Sequence, residues 1–427
     1  VAIPEVKVAD GVLATSQLVY RTLASASTAT AADGYQQQIS RRQDAQIKYL
    51  INQAKVRTSE INRTSVQDFV KMLREIKADR KNLALDNIEV AAYASPDGSL
   101  GFNKELAEHR RNTAEQYVNG QLRKNKLGTN VDTKYTAEDW EGFKELVQQS
   151  NIQDKEAIIR VLSLYQDPEE REQQIRNIST AFTELANEVL PELRRARLAI
   201  NYRVVGRTDD EIREQYMNDP SKLSVEEVLY AATLTQNPDE RKAIFEKAVR
   251  LYPNDKRAHN GLAQIAYAKG DMETAKAELA QAAELPEANA NAALSAVREH
   301  HLDQAESLLG KALTASNYNE VLGNLQVARG NFVQAAQTLK GGNTNTAALA
   351  QILTKDYVSA RQTLMAVPHR DAMTAYLAAI VSARTGDVKG AAQALAGAIA
   401  ADRSLAGLAQ TDLELAKVLA AHPELVK

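Results

Sequence analysis

The stretch that decides the fold opens with Asn87-Ile88-Glu89-Val90-Ala91-Ala92-Tyr93-Ala94, turns through Ser95-Pro96-Asp97-Gly98 and continues with Asn103, Leu106, Arg110 and Arg111 toward Val118. Ile88, Val90 and Ala92 alternate as in a half-buried strand. Pro96 suits the second position of a tight turn that Asp97 and Gly98 complete. Asn103 can cap the following helix, and Arg110, two helical turns further on, lies on the same face. The order is strand, turn, helix, with a polar helix face looking back at the turn.

Working outward, the pattern changes after Ile47 to Tyr49-Leu50-Ile51, and Ser65 with Asp68 opens a helix that puts Val66, Phe69, Val70, Leu73 and Ile76 on one face. Further strands are predicted at Val131 to Tyr135 and Leu198 to Val205. Between Trp140 and Pro191 two or three extra helices interrupt the frame. The longest places Ile175, Ile178, Phe182, Leu185 and Val189 on one stripe, behind Asp167-Pro168 as cap and first-turn residue. The prediction is an α+β domain of βαβαβ type with a helical insertion over residues 41–206. Residues 1–40 read as extended pieces around Ile3-Pro4 and Val12-Leu13, then a Ser/Thr/Ala linker from Ser25 to Ala32.

Past the polar run Arg207 to Asp210 the chain becomes rich in Ala and Leu and repeats itself. Ala248, Ala282 and Ala312 end similar helices at spacings of 34 and 30, each with a large residue, Phe245, Leu279 or Leu309, three positions earlier. Gly270-Asp271, Gly330-Asn331 and Gly386-Asp387 mark turns, each followed by Ala275, Ala335 or Ala391. Self-similarity at this period signals a solenoid of helical hairpins. The pattern resembles tetratricopeptide repeats, although spacing shrinks to 25 between Ala335 and Ala360 and His259 stands at the family's Trp position. An all-α array is expected over residues 207–427, and it implies a protein partner in the repeat groove.

The strand–turn–helix stretch resembles the core of OmpA-like domains, whose motif runs strand, Asp-x-x-Gly loop, then an Asn-x-x-Leu-Ser-x-x-Arg-Ala helix. That resemblance implies binding of peptidoglycan, in which a loop aspartate and the helix arginine hold the ammonium and carboxylate of diaminopimelate; guanidinium suits a carboxylate partner. By the same resemblance Arg110 takes the carboxylate, with Ser95, Asp97, Asn103 and Arg195 completing the ligand set. Ser95 stands where the family has its aspartate, and Asp97 lies two residues later; Asp97 either reaches the ammonium or satisfies the turn backbone. Arg194-Arg195 resembles the family's closing Asn-Arg-Arg-Val, which helps support the loop. The alternative is pairing with Glu188 and Glu192 at a helix end.

Composition narrows the function classes. The 427 residues carry a net charge of −3 with acids and bases interspersed, so nothing marks a nucleic-acid partner. The absence of cysteine removes thiolate chemistry, disulfides and cysteine metal sites. The six histidines, at 109, 259, 300, 301, 369 and 422, fall in no metal-ligand spacing, and no phosphate loop or nucleophile elbow appears. His300-His301 reads as a surface pair at a repeat turn, His109 as a neighbour of the Arg110 pocket, and Trp140 as a core anchor. No metal or cofactor is expected, and no enzyme. The expectation is a periplasmic, outer-membrane-associated scaffold, and Val1 in place of Met reads as a processed or trimmed chain, which leaves a signal peptide or lipid anchor upstream open. The second reading keeps the fold without cell-wall binding, as a docking subunit of an outer-membrane assembly.

Overall fold

The computed structural model describes residues 15–23, 26–152 and 154–427, with the backbone alone at 179–182. Ile3-Pro4 and Val12-Leu13 lie outside the described residues. The chain forms two compact units, one spanning Gln36–Thr208 and the other joining the segment up to Tyr35 to Asp209–Lys427. The described residues of the N-terminal segment therefore pack as part of the helical unit, with a short helix α1 (Val19–Thr22) and an extended run from Ala26 onward.

In the α/β unit, β1 (Gln38–Lys48) is followed by the short α2 (Thr58–Ile61), α3 (Thr64–Ala78), β2 (Leu83–Tyr93), α4 (Leu100–Asn125) and β3 (Asn130–Thr136), and β4 (Arg195–Val205) closes it. The sheet order is β1-β4-β2-β3. β4 runs antiparallel to both neighbours, pairing Lys48 with Arg195 on one side and Ile88 with Ile200 on the other, while β2 and β3 are parallel across α4. One face carries Ala45, Ile47, Ile88, Val90, Ala92, Ala196, Leu198 and Ile200 into a core with α3 and α4. The other face is polar, where Arg42, Glu89, Asn87 and Asn201 bond to one another.

β1 is an edge strand with only Ala45 and Ile47 turned to the core, which explains its weak hydrophobic alternation. The predicted helix face of α3 is buried as read, from Val66 to Ile76. Its start is not. Arg63 occupies the cap position without a side-chain capping bond, Ser65 is the second residue of the helix, and Asp68 lies past the first turn. The buried Glu60 organises this corner instead, accepting from Arg57, Arg63 and the Lys48 amide.

The insertion contains α5 (Trp140–Gln149), α6 (Lys155–Leu164), α7 (Pro168–Asn177), α8 (Ser179–Glu188) and α9 (Leu190–Leu193). Asp167 caps α7 through the Glu170 amide at 3.0 Å, with Pro168 in the first turn as predicted. The single long helix read from the stripe is two helices, because Ile178 leaves the helical region at φ −84°, ψ 75°. Ile175, Leu185 and Val189 nevertheless share one core with Phe143, Ile158 and Leu193. Trp140 packs edge-on against Phe143 at 5.5 Å.

The helical unit begins with α10 (Asp209–Asn218), α11 (Val225–Ala231) and α12 (Pro238–Leu251). Five antiparallel hairpins follow: α13 (Arg257–Ala268) with α14 (Met272–Gln281), α15 (Pro286–Arg298) with α16 (Leu302–Leu309), α17 (Tyr318–Ala328) with α18 (Phe332–Thr338), α19 (Asn345–Leu353) with α20 (Tyr357–Ala366), and α21 (Ala372–Arg384) with α22 (Val388–Ala401). Each hairpin turn holds one left-handed residue, in order Gly270, His300, Gly330, Lys355 and Gly386. Glycine reaches that conformation without steric cost, so the two exceptions hide their repeats from a Gly-Asp search. In each second helix one alanine, Ala275, Ala305, Ala335, Ala360 or Ala391, is fully buried where helices meet closely.

Candidate functional site

The loop from Ala94 to Ser99 leaves β2 beside β3, with the Ala94 amide on Thr136 O and the Asp139 amide on Ala94 O. The Ser95 hydroxyl bonds to Asp97, and Arg194 reaches Asp97 Oδ2 at 2.9 Å and Ser95 Oγ at 3.3 Å. Asn103 is no helix cap, since α4 already starts at Leu100. Its buried side chain donates to Gly98 O at 2.9 Å and ties the loop to the helix.

Arg110 is fully buried, and its guanidinium donates to three main-chain carbonyls: Gln53 O at 2.9 Å, Tyr93 O at 2.9 Å and Leu50 O at 3.2 Å. The Tyr49 ring lies 5.3 Å away, and the Tyr49 hydroxyl donates to the Arg110 carbonyl at 3.1 Å. Burial lowers the Arg110 pKa to about 10, so it stays a cation at neutral pH. Burial also raises Tyr49 to about 12. The cation therefore joins the segment after β1, the end of β2 and α4 into one corner.

Arg195 is 4% exposed and pairs with the buried Asp139 at 2.8 Å, while its other terminal nitrogen reaches Glu192 O at 2.8 Å. Burial, then Arg197, lowers its pKa. Asp139 also caps α5 through the Gly142 amide at 3.0 Å, and a Cβ on Gly142 would lie 2.4 Å from the Asp139 carboxylate. The helix-end acids Glu188 and Glu192 are thus not the carboxylate partners of the arginine pair. Those are Asp97 for Arg194 and Asp139 for Arg195. Asp139 was legible only as a residue three positions before Gly142 at the start of an amphipathic helix.

The structure brings Ser95, Asp97, Asn103 and Arg110 to one end of the sheet, with Arg195 beyond Arg194 on the insertion side. His109 points out and is exposed, and Arg111 lies near the Tyr135 ring and Glu108. The cavity bordering the loop, lined by Pro96, Trp140, Phe143, Glu172, Ile175, Leu185 and Leu190, encloses about 10 Å³. That is room for one water at most. No cluster of three or more metal-ligating side chains occurs among the described residues, and no described helix is long and apolar enough to cross a membrane.

In the helical unit, the face formed by the first helices of the hairpins carries the chain's own N-terminal segment. Thr15 bonds to Glu414 at 2.6 Å, Thr22 to Thr346 at 2.8 Å, and Tyr267 donates to Leu23 O at 3.2 Å. The Ala29 amide donates to Asn291 Oδ1 at 2.7 Å, and its carbonyl accepts from Asn260 at 3.0 Å and Asn291 at 2.8 Å. Asn317 donates to Ser27 O at 2.8 Å, and Arg257 donates to Asp33 O at 2.6 Å. The described residues 15–23 and 26–33 thus run antiparallel to the order of the repeats, from α21, where Arg384 reaches Thr15, back to α13. The Ser25-to-Ala32 stretch read as a linker is a bound strap over its described part, and the exposed His300 packs its ring at a tilt against Tyr20 of α1 at 3.9 Å. None of this was legible, because Ala, Ser and Thr carry no periodic signal and buried asparagines look like solvated ones.

No family model matches the chain, and no curated protein matches it. Among solved structures it is similar to a tetratricopeptide repeat protein from Parabacteroides merdae ATCC 43184, with 13% identity, TM-score 0.36, and 45% of this chain and 85% of that one covered. It is also similar to PilW, a widely conserved type IV pilus biogenesis factor, at 19% identity and TM-score 0.35, covering 47% of this chain and 99% of PilW. Pseudomonas aeruginosa PilF gives 19% identity and TM-score 0.34 over 50% of this chain and 99% of its own. Likeness at these values carries no partner, activity or location across. The helical-hairpin architecture rests on the packing described above.

Proposed function

We propose that the protein is a non-catalytic scaffold of the bacterial envelope, in which the helical unit carries protein contacts and the α/β unit docks the chain within a larger assembly. The envelope setting comes from the resemblance of the Asn87-to-Val118 stretch to OmpA-like domains, and the protein contacts from the tetratricopeptide-like hairpins, whose stacking presents extended surfaces. The observation that favours docking over cell-wall binding is the state of Arg110. A guanidinium that is fully buried and already donating to three carbonyls would have to break those bonds before it met a ligand carboxylate.

Cell-wall binding, with Ser95, Asp97, Asn103, Arg110 and Arg195 as its ligand set, keeps one observation in its favour. Asp97 and Arg194 form a partly exposed acid–base pair at the loop, which suits exchange with a zwitterionic amino acid. Co-sedimentation with purified sacculi separates the two readings. The docking reading expects the full chain to remain in the supernatant. Pelleting that free diaminopimelate reverses, and that Asp97→Ala abolishes, would install the cell-wall reading in its place.

A further inference from the structure

The strap is held by its backbone. Asn260 on α13 and Asn291 on α15 stand 31 residues apart, one repeat, and the Asn291 amide also donates to Asn260 Oδ1 at 2.9 Å. Between them they engage both the N–H and the C=O of Ala29. Asn317 takes the Ser27 carbonyl, Arg257 the Ala32 and Asp33 carbonyls, and Gln264 the short hydroxyls of Thr28 and Thr30. An amide that accepts from the N–H and donates to the C=O of one residue reads an extended main chain and ignores side-chain identity. The one steric demand is at Ala29, which is fully buried.

Helix packing alone gives no reason for these amides. Asn260, Asn291 and Asn317 are at most 5% exposed, on a face where alanine or leucine would pack the hairpins without hydrogen-bonding needs. Four of their bonds go to the strap backbone and two run among the three asparagines, while Asn317 Oδ1 has no partner among the described residues. The face is therefore built for an extended peptide, and this chain supplies one.

We propose that the first-helix face is a backbone-reading peptide clamp and that residues 26–33 are its resident, exchangeable occupant, standing in for an extended Ala/Ser/Thr-rich segment of a partner protein. This rests on the scaffold reading for its biological purpose but not for its chemistry. Because the strap is tethered, its effective concentration is on the order of millimolar. A free peptide with the same contacts and a Kd of about 10 μM would then bind the intact chain roughly 100-fold more weakly than a chain whose strap is displaced.

The test uses the full chain and a fluorescein-labelled peptide copying residues 20–35, followed by anisotropy. Ala29→Arg, which cannot seat in the buried position, should bind the peptide at least tenfold more tightly than the wild type. Adding Asn291→Ala should remove that gain. An Ala29→Arg chain that keeps its helical circular dichroism yet binds no more tightly overturns the proposal, as does binding indifferent to Asn291→Ala. Should Ala29→Arg fail to fold, amide hydrogen exchange decides: Asn291→Ala must speed exchange of residues 26–33 about tenfold while α13 and α15 stay protected, and unchanged strap protection refutes the clamp. Sacculus binding by the α/β unit would sink the docking reading without touching these outcomes, and a failed clamp would leave the sacculus result where it stood.

Discussion

Replacing Arg110 with alanine distinguishes a structural cation from a ligand-binding one. Three charge-assisted bonds to carbonyls contribute roughly 1.5–3 kcal/mol each. Against them stands the cost of burying the ion, which the fall of its pKa from 12.5 to about 10 puts at roughly 3 kcal/mol. The net loss in Arg110→Ala is then about 3 kcal/mol, with the Gln53, Tyr93 and Leu50 carbonyls left without their donor. Trp140, the only tryptophan, lies in the α/β unit, so its fluorescence follows that unit while far-ultraviolet circular dichroism is dominated by the helical one. With a urea m-value near 2 kcal/mol per molar, the fluorescence midpoint should fall by about 1.5 M. A midpoint within about 0.3 M of wild type, roughly 0.5 kcal/mol at that slope, would refute the reasoning and return Arg110 to the role of an uncommitted ligand cation.

Four further outcomes follow from the geometry. Asp139→Ala removes both the Arg195 partner and the α5 cap, and should cost about 3–4 kcal/mol by Trp140 fluorescence, whereas Arg203→Ala, which breaks a partly exposed pair with Asp86, should cost under about 1 kcal/mol. Lys355→Gly should stabilise the helical unit by roughly 0.5–1 kcal/mol in thermal unfolding, because Lys355 holds φ 65° at a turn where glycine is strain-free. Gly323→Ala should destabilise it by roughly 1–3 kcal/mol, since the added Cβ would fall 2.4 Å from the Leu339 side chain. Glu320, beside the Ser27 amide, has its pKa raised from 4.5 by burial. Its folded value exceeds the unfolded one, so the helical unit loses stability as pH rises through the folded pKa; Glu320→Gln should therefore stabilise it at pH 7 and make no difference below the ordinary carboxylate range.

The parts of the fold that were legible are those where burial imposes a period. Val66 to Ile76, Ile88 to Ala92 and the Ala275, Ala335 and Ala391 turns all face apolar surroundings on one side, and all were read correctly. β1 escaped as a strand because an edge position leaves nine of its eleven residues outside the core. The break at Ile178 escaped because a stripe of apolar residues in the sequence runs on across the two helices without a Gly or Pro to mark the junction. Repeats two and four lost their turn signal when His300 and Lys355 took the glycine position. For the candidate site, the sequence placed Ser95 to Gly98, Asn103 and Arg110 at one sheet end, but partners separated by up to 99 positions, such as Arg194 and Ser95, leave no local trace. A seven-residue spacing shows which face an arginine is on; it does not show that main-chain carbonyls already fill that face.

A crystal structure of the full chain grown in saturating diaminopimelate tests the central claim most directly. The account predicts Arg110 still donating to the carbonyls of Gln53, Tyr93 and Leu50, with Asp97 on Arg194 and no amino acid between them. A diaminopimelate carboxylate bonded to Arg110, with those carbonyls turned away, would contradict it.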